Sequence, residues 1–250
     1  MEGSWILHQM VRIRWENPTA DHEPRLTALI QRLEAEGSAV FSMLGHKGDL
    51  LFVHFRKTFD ELNKADVTVS KALAGLADIV NSYVSVVELG LYESSVKLYD
   101  ALVARGVLPN SEEWNAEVEE TLKRQRTAMA SRLFPEIPSG KYICFYPMNK
   151  RRGEDKNWYF LPIQDRQRQM AEHGEIGRRY AGSVRQIISG SIGYDDWEWG
   201  VDLFTENPLV FKQLIYEMRF DEASAVYAEF GPFYTGLRLR ASDVVDYLNA

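Results

Sequence analysis

The order of secondary-structure signals repeats along the chain, and this restricts the fold more than any other feature. In the first half a strand-like run from Trp5 to Trp15 precedes a helical pattern through Leu26, Leu29, Ile30 and Leu33. Two strands then flank Gly45-His46-Lys47-Gly48-Asp49, and a second helix opens at the capping sequence Thr58-Phe59-Asp60-Glu61. The last strand of this half runs from Tyr83 to Leu91. The second half gives a strand Lys141 to Met148, a helix Ile163 to Tyr180, strands around Gly193-Tyr194-Asp195-Asp196, a helix from Asn207-Pro208 and a closing strand Ala228 to Leu237. Asn207 suits an N-cap and Pro208 the first helical position, where a missing N–H is harmless. Each half therefore reads β-α-β-β-α-β. The expected fold class is α+β, with two ferredoxin-like units forming a dimeric α+β barrel within one chain and helices on the outside.

On this pattern residues 1–92 form an N-terminal ferredoxin-like unit, 93–139 a linker and 140–250 a C-terminal unit. Trp114, Val118, Leu122, Met129 and Leu133 recur at helical spacing and stop before Pro135 and Pro138, so the linker reads as helical. The charged, glycine-containing stretch Asn149 to Asn157 reads as a long mobile loop.

A chain of 250 residues that is 45% hydrophobic can fill one large core or two smaller ones. Its 29 basic and 36 acidic residues leave a net charge of -7, a field that repels nucleic acid. The one cysteine, Cys144, excludes an internal disulfide and a CxxC metal site, and its apolar setting Tyr142-Ile143-Cys144-Phe145 makes it a small core residue. Met1 to His8 lacks the basic, apolar and small-residue succession of a secretory signal. No apolar run reaches the ~18 residues of a membrane span, so a cytoplasmic location is expected.

Histidines occur at His8, His22, His46, His54 and His173, none in an HExxH pattern, which argues against a generic zinc enzyme. His173 shares a helical stripe with Ile163, Met170 and Gly177, so its imidazole is either a packed or capping group or a ligand. Along the strand after Lys141, Tyr142, Cys144, Tyr146 and Met148 share one face, while Ile143, Phe145 and Pro147 share the other. Tyr146 is thus a core phenol or a redox-capable side chain in a cavity. Lys150-Arg151-Arg152 is an anion-binding run or a solvated basic loop.

Longer words carry a resemblance. These are Tyr142-Ile143-Cys144-Phe145-Tyr146-Pro147-Met148-Asn149-Lys150-Arg151-Arg152, Asn157-Trp158-Tyr159, His173-Gly174 with Ile176-Gly177-Arg178, and Tyr180-Ala181-Gly182. They continue in Gln186-Ile187-Ile188, Gly190-Ser191-Ile192-Gly193, Asp195-Asp196, Glu198-Trp199-Gly200-Val201 and Met218-Arg219-Phe220-Asp221-Glu222-Ala223-Ser224. In these words the chain resembles the coproheme decarboxylases of the chlorite dismutase superfamily. The resemblance is dense from Arg132 to about Gly236, has a weaker echo in Ser82 to Leu89, and does not extend over Tyr92 to Ala130.

The resemblance implies a peroxide-dependent oxidative decarboxylation. The propionates at positions 2 and 4 of iron coproporphyrin III (coproheme, both substrate and redox centre) become vinyl groups, giving haem b through a mono-vinyl intermediate. It implies His173 as axial iron ligand, Tyr146 as radical-bearing tyrosine, Arg132 and Lys150 as propionate-binding bases, and Gln186 as a distal polar group. Met148 and Ser224 become cavity or propionate contacts, and Glu222 holds the second imidazole nitrogen. The partners implied are coproheme, hydrogen peroxide, further copies in a homopentamer and, in transient contact, the coproporphyrin ferrochelatase. A chlorite dismutase or other haem peroxidase, and a haem-binding protein without turnover, are the alternatives. Strand parity discriminates between them, because Arg185 and Gln186 must face opposite ways. The resemblance turns Gln186 to the cavity with Val184 and Ile188; Arg185 in that place would favour chlorite dismutase or dye-decolourising peroxidase chemistry.

Overall fold

The computed structural model describes residues 1–16, 21–89 and 92–249. The first half runs β1 (Glu2–Ile13), α1 (His22–Ala35), β2 (Ser38–Met43), β3 (Leu50–Arg56), α2 (Phe59–Leu73) and β4 (Ala77–Glu88). The second half runs β5 (Tyr142–Lys150), α6 (Ile163–Arg179), β6 (Arg185–Gly190), β7 (Trp199–Thr205), α7 (Leu209–Met218), the short α8 (Glu222–Ala225), β8 (Ala228–Phe230) and β9 (Tyr234–Arg238). Between them lie α3 (Tyr92–Ala104), α4 (Glu112–Ala128) and α5 (Ala130–Leu133), and α9 (Val244–Asn249) follows the last strand. The protein is a mixed α+β chain around one antiparallel sheet.

The sheet closes on itself. The first half pairs as β4-β1-β3-β2 and the second as β6-β7-β5-β9; β4 meets β6, and β2 meets β9. β5 bonds β7 along one edge, and β9 followed by β8 along the other. Most strands therefore have two buried faces and read as nearly continuous apolar runs, as in the fully buried Leu50–Arg56 of β3. Ile6, Met10, Phe41, Val53, Phe145 and Phe204 fill the barrel. A second layer, including Leu26, Ile30, Phe52 and Val69, seats α1 and α2 on the outside of the first half. A third, including Cys144, Tyr146, Ile176, Leu203, Phe211 and Leu214, seats α6 and α7 on the second.

Several expectations change. β4 begins at Ala77, directly after the left-handed turn at Gly75 (φ 78°), instead of at Tyr83; the end expected at Leu91 lies outside the described residues. The closing strand is broken into β8 and β9 at Gly231, where a Cβ would sit 2.9 Å from both Pro147 and Trp197, so the chain can pass only without a side chain. The stretch expected as a long mobile loop is instead a tight turn. β5 continues to Lys150, Arg152 bridges Asn157, and Gly153 N donates to Lys156 O. The linker is helical as expected, and α5 lies so close on β1 that only a glycine, Gly3, fits beneath the backbone of Leu133. Cys144 is a free, buried core thiol whose pKa burial pushes up to about 12. Among the described residues no helix is long and apolar enough to cross a membrane.

Candidate functional site

His173 lies on α6, but the buried line of that helix differs from the stripe expected. Gln169 and Ile176 are buried with His173 half-buried between them, while Ile163 and Met170 remain 37% and 40% exposed. The imidazole Nδ1 lies 2.9 Å from Asp221 Oδ2 and 3.3 Å from Ser224 Oγ. Asp221 is the N-cap of α8: its Oδ1 accepts Ser224 N at 2.9 Å, which fixes the carboxylate before it meets the ring. A carboxylate at Nδ1 holds the proton there and leaves the Nε2 lone pair for a metal.

This corrects the role expected of Glu222. Its carboxylate accepts from Arg168 at 2.9 Å, and the imidazole partner is the preceding residue, Asp221. An N-cap in the extended conformation folds its side chain back over the helix start, whereas the first helical residue points outward. The signal was present in Asp221-Glu222-Ala223-Ser224, an aspartate able to cap the helix that the next residues begin.

The same small helix organises Lys150. Its Nζ donates to Ala223 O at 2.9 Å and stands 4.3 Å from the centre of the Trp158 ring. Burial holds the ammonium pKa down to about 8, against a smaller opposing pull from Asp221. Tyr146 and Cys144 face the α6–α7 layer, with Tyr142 and Met148 packed against it, while Ile143 and Phe145 face the barrel interior, as alternation requires. The Tyr146 ring is buried 4.7 Å from that of Phe233 and 5.7 Å from that of Phe230, and burial raises its phenol pKa.

Gln186 turns toward α6. Its Oε1 lies 3.9 Å from where a Cβ on Gly177 would stand, and Met218 Cε lies 3.5 Å from the same point. Val184 packs in this layer, and Arg185 is exposed. Gln186 and Val184 thus face as expected, while Ile188, expected beside them, is 43% exposed. Arg132 is exposed on α5, the helix that packs on β1. A cavity of about 550 Å³ opens between α7, β5 and β9, with Cys144, Phe211, Ile215, Arg219 and Phe233 among its walls; His173, Lys150, Tyr146 and Gln186 are not part of its lining.

The donor set fits an iron porphyrin. It offers an imidazole held through Nδ1, apolar walls, Gly177 facing Gln186, and a half-buried cation for a carboxylate. Fold and site together define an antiparallel α+β barrel with a candidate site in the helix layer outside its second half.

The comparisons agree. The family profile described as chlorite dismutase matches residues 21–239, and the chain belongs to that family. A protein of Natronomonas pharaonis named for haem binding is 42% identical over 97% of this chain, and one of Haloquadratum walsbyi with the same kind of name is 40% identical over 97%. The chain spans only 40% and 45% of the length of these two curated relatives. The solved structure of a haem-binding protein from Thermus thermophilus superposes with a TM-score of 0.82 at 38% identity, covering 100% of this chain and 96% of that one. A chlorite dismutase from Candidatus Nitrospira defluvii gives a TM-score of 0.69 at 17% identity, covering 100% and 96%, which bears on the fold alone.

Proposed function

We propose that this chain is a hydrogen-peroxide-dependent coproheme decarboxylase, converting two propionates of iron coproporphyrin III to vinyl groups and yielding haem b. The observation that carries the reading is on β6: a neutral amide, Gln186, rather than the guanidinium of Arg185, faces the helix that bears His173. A distal guanidinium would suit an oxyanion intermediate of chlorite chemistry, whereas a neutral amide leaves the reaction to the porphyrin's own substituents. With this function goes a reading of the architecture as two ferredoxin-like units, 1–92 and 140–250, joined by the helical segment 93–139, a reading supported by the two strand orders.

His173, held by Asp221, would be the axial ligand through Nε2. Bound iron supplies the two-electron reduction of peroxide to water. Lys150 would exchange its bond to Ala223 O for a propionate carboxylate, and Ser224 would add a hydroxyl nearby. Tyr146 is the residue that moves the electron and proton. Its raised pKa keeps the phenol protonated, so oxidation removes both together and leaves a neutral radical. That radical takes a hydrogen atom from the propionate β-carbon and restores the phenol. Loss of carbon dioxide and one further electron leaves the vinyl group, and one peroxide is consumed per propionate. Met148, next on the Tyr146 face, would form part of the wall, and Arg132 would serve only if α5 or another copy brought it to a propionate.

The test is Tyr146→Phe, which keeps the ring and its packing but removes the O–H. It should fold and bind coproheme through His173, yet leave all four propionates intact by mass spectrometry after peroxide. Haem b at the wild-type rate from this variant would overturn the tyrosyl step. The relatives named only for haem binding favour a second reading, a carrier without turnover. Absence of haem b from the wild-type protein supplied with coproheme and peroxide would put that reading first. Sustained oxygen release from chlorite at about 1 to 10³ per second would instead restore the dismutase reading.

A further inference from the structure

One mouth of the barrel holds a second cavity, of about 610 Å³, which shares no lining residue with the His173 group. It lies where β1, β2 and β5 begin and where β3 and β9 end, under the segment that crosses from α5 to β5. Barrel mouths are preferred positions for small-molecule sites when a few polar groups converge there.

Four cations line this mouth: Arg56 and Lys57 at the end of β3, Arg238 and Arg240 at the end of β9. The carboxylates in the lining are Glu34 and Glu136, both exposed, and among the described residues none of the four cations has a carboxylate within salt-bridge distance. In a chain of net charge -7 such a surplus of positive charge is local and requires its own explanation.

The guanidinium of Arg56 is fixed, 9% exposed, by donating to Gly37 O at 3.1 Å, Phe55 O at 2.9 Å and Ser38 Oγ at 2.8 Å. Behind it a relay runs in one direction. Ser38 Oγ donates to His54 Nδ1 at 2.8 Å, His54 Nε2 donates to Gln9 Oε1 at 3.1 Å, and Gln9 Nε2 donates to Asp66 Oδ1 at 2.8 Å. Burial keeps His54 neutral, its pKa lowered to about 3, so its Nδ1 can only accept, and the Ser38 proton is directed away from Arg56. Arg238 is fixed on the other side of β2. It donates to Gly140 O at 3.2 Å and to Pro138 O, and its plane lies 4.7 Å from the centre of the Phe41 ring. Both arginines keep N–H groups that these bonds do not use. Burial lowers the pKa of each; Glu36 and Glu61 oppose this at Arg56, and at Arg238 the neighbouring Arg240 adds to it while Glu34 and Glu206 oppose it.

Phe55, Phe134 and Ile137 stand beside the cations, and Ser4, Ser38 and Ser139 add hydroxyls to the wall. We propose that this mouth binds a small organic dianion with an apolar or aromatic body, of the phosphate monoester type. Two immobilised guanidiniums would grip its oxygens, two mobile cations would close over it, and the phenylalanines would receive its body.

Phenyl phosphate is the probe, titrated calorimetrically into the full chain beside inorganic phosphate and phenol. The expected result is one site, with phenyl phosphate bound about tenfold or more tightly than inorganic phosphate and no binding of phenol. Lys57→Gln and Arg240→Gln, at exposed side chains that make no core contact, should each weaken binding about fivefold while leaving the melting temperature of the free protein unchanged. Equal affinity for phenyl and inorganic phosphate, affinity unmoved by both substitutions, or no heat with phenyl phosphate at about 10 mM would each overturn the proposal.

Discussion

Asp221 divides its two carboxylate oxygens between α8, through Ser224 N, and the Nδ1 of His173. Asp221→Asn keeps an oxygen for either bond but removes the charge that makes the ring a strong donor. Haem affinity of the purified protein should fall by about 10- to 100-fold, and the ferric–ferrous midpoint potential should rise because the ferric state loses more. A variant with wild-type affinity and potential would show that Asp221 only caps its helix. Glu222→Gln is the control and should change neither. At this scale His173, Tyr146, Lys150 and Gln186 stand in recognisable words; alternation gave the faces of β5, and the resemblance gave the facing of Gln186. The choice between Asp221 and Glu222 was not legible, because the two residues are adjacent and only cap geometry tells them apart. Arg132 was carried by resemblance alone, and the structure places it, exposed, on α5.

At the scale of elements, α2 shows how local sequence fixes a boundary. Thr58 Oγ1 accepts Glu61 N at 3.2 Å while the Glu61 side chain returns to Thr58 N at 3.3 Å, the reciprocal pair that the sequence predicted. Thr58→Ala should cost about 1 kcal/mol in urea denaturation. It should leave haem binding by the folded fraction unchanged, because α2 packs in the first-half layer and His173 in the second. A change in haem affinity would mean that the layers communicate. The missed boundaries have physical reasons. Residues 78–82 of β4 are exposed, with Asp78 paired to Arg14 at the surface, so the alternation that marks a strand is absent there. The stretch after Lys150 looked like a loop because its order comes from distant backbone, with Arg151 N bonded to Tyr227 O, and composition does not report such a bond.

At the scale of the whole molecule the halves are joined by two short seams. β4 meets β6 at Val86–Gly190 and Val87–Ser189, and β2 meets β9 from Phe41 to Met43. Neither seam is visible in the sequence, where each half reads as a complete open sheet. Inside the barrel His8 of β1 and Asp202 of β7 meet at 2.8 Å, both fully buried, with the His8 ring stacked on Phe145 at 3.8 Å. Among the described residues His8 Nδ1 and Asp202 Oδ2 have no hydrogen-bond partner, so the pair is costly to isolate. Asp202→Ala should destabilise the chain by about 3–5 kcal/mol, while His8→Phe with Asp202→Leu should lose much less than the two single changes together. Additivity within about 0.5 kcal/mol in a denaturation cycle would show that the pair is not a unit.

β5 is bonded along one edge to β7 and along the other to β9 and β8, so the strand carrying Tyr146 cannot loosen before the barrel itself comes apart. The imidazole stands on the other kind of support, an outer helix latched by a four-residue one through side chains. Amide hydrogen exchange should therefore divide the site: β5 belongs to the slowest class, set by global unfolding, and α8 with the end of α6 to a faster one, set by partial opening. In the proposed function, the group held by His173 would then be released and replaced by a native molecule that lifts one latch, while the phenol stays where the barrel keeps it.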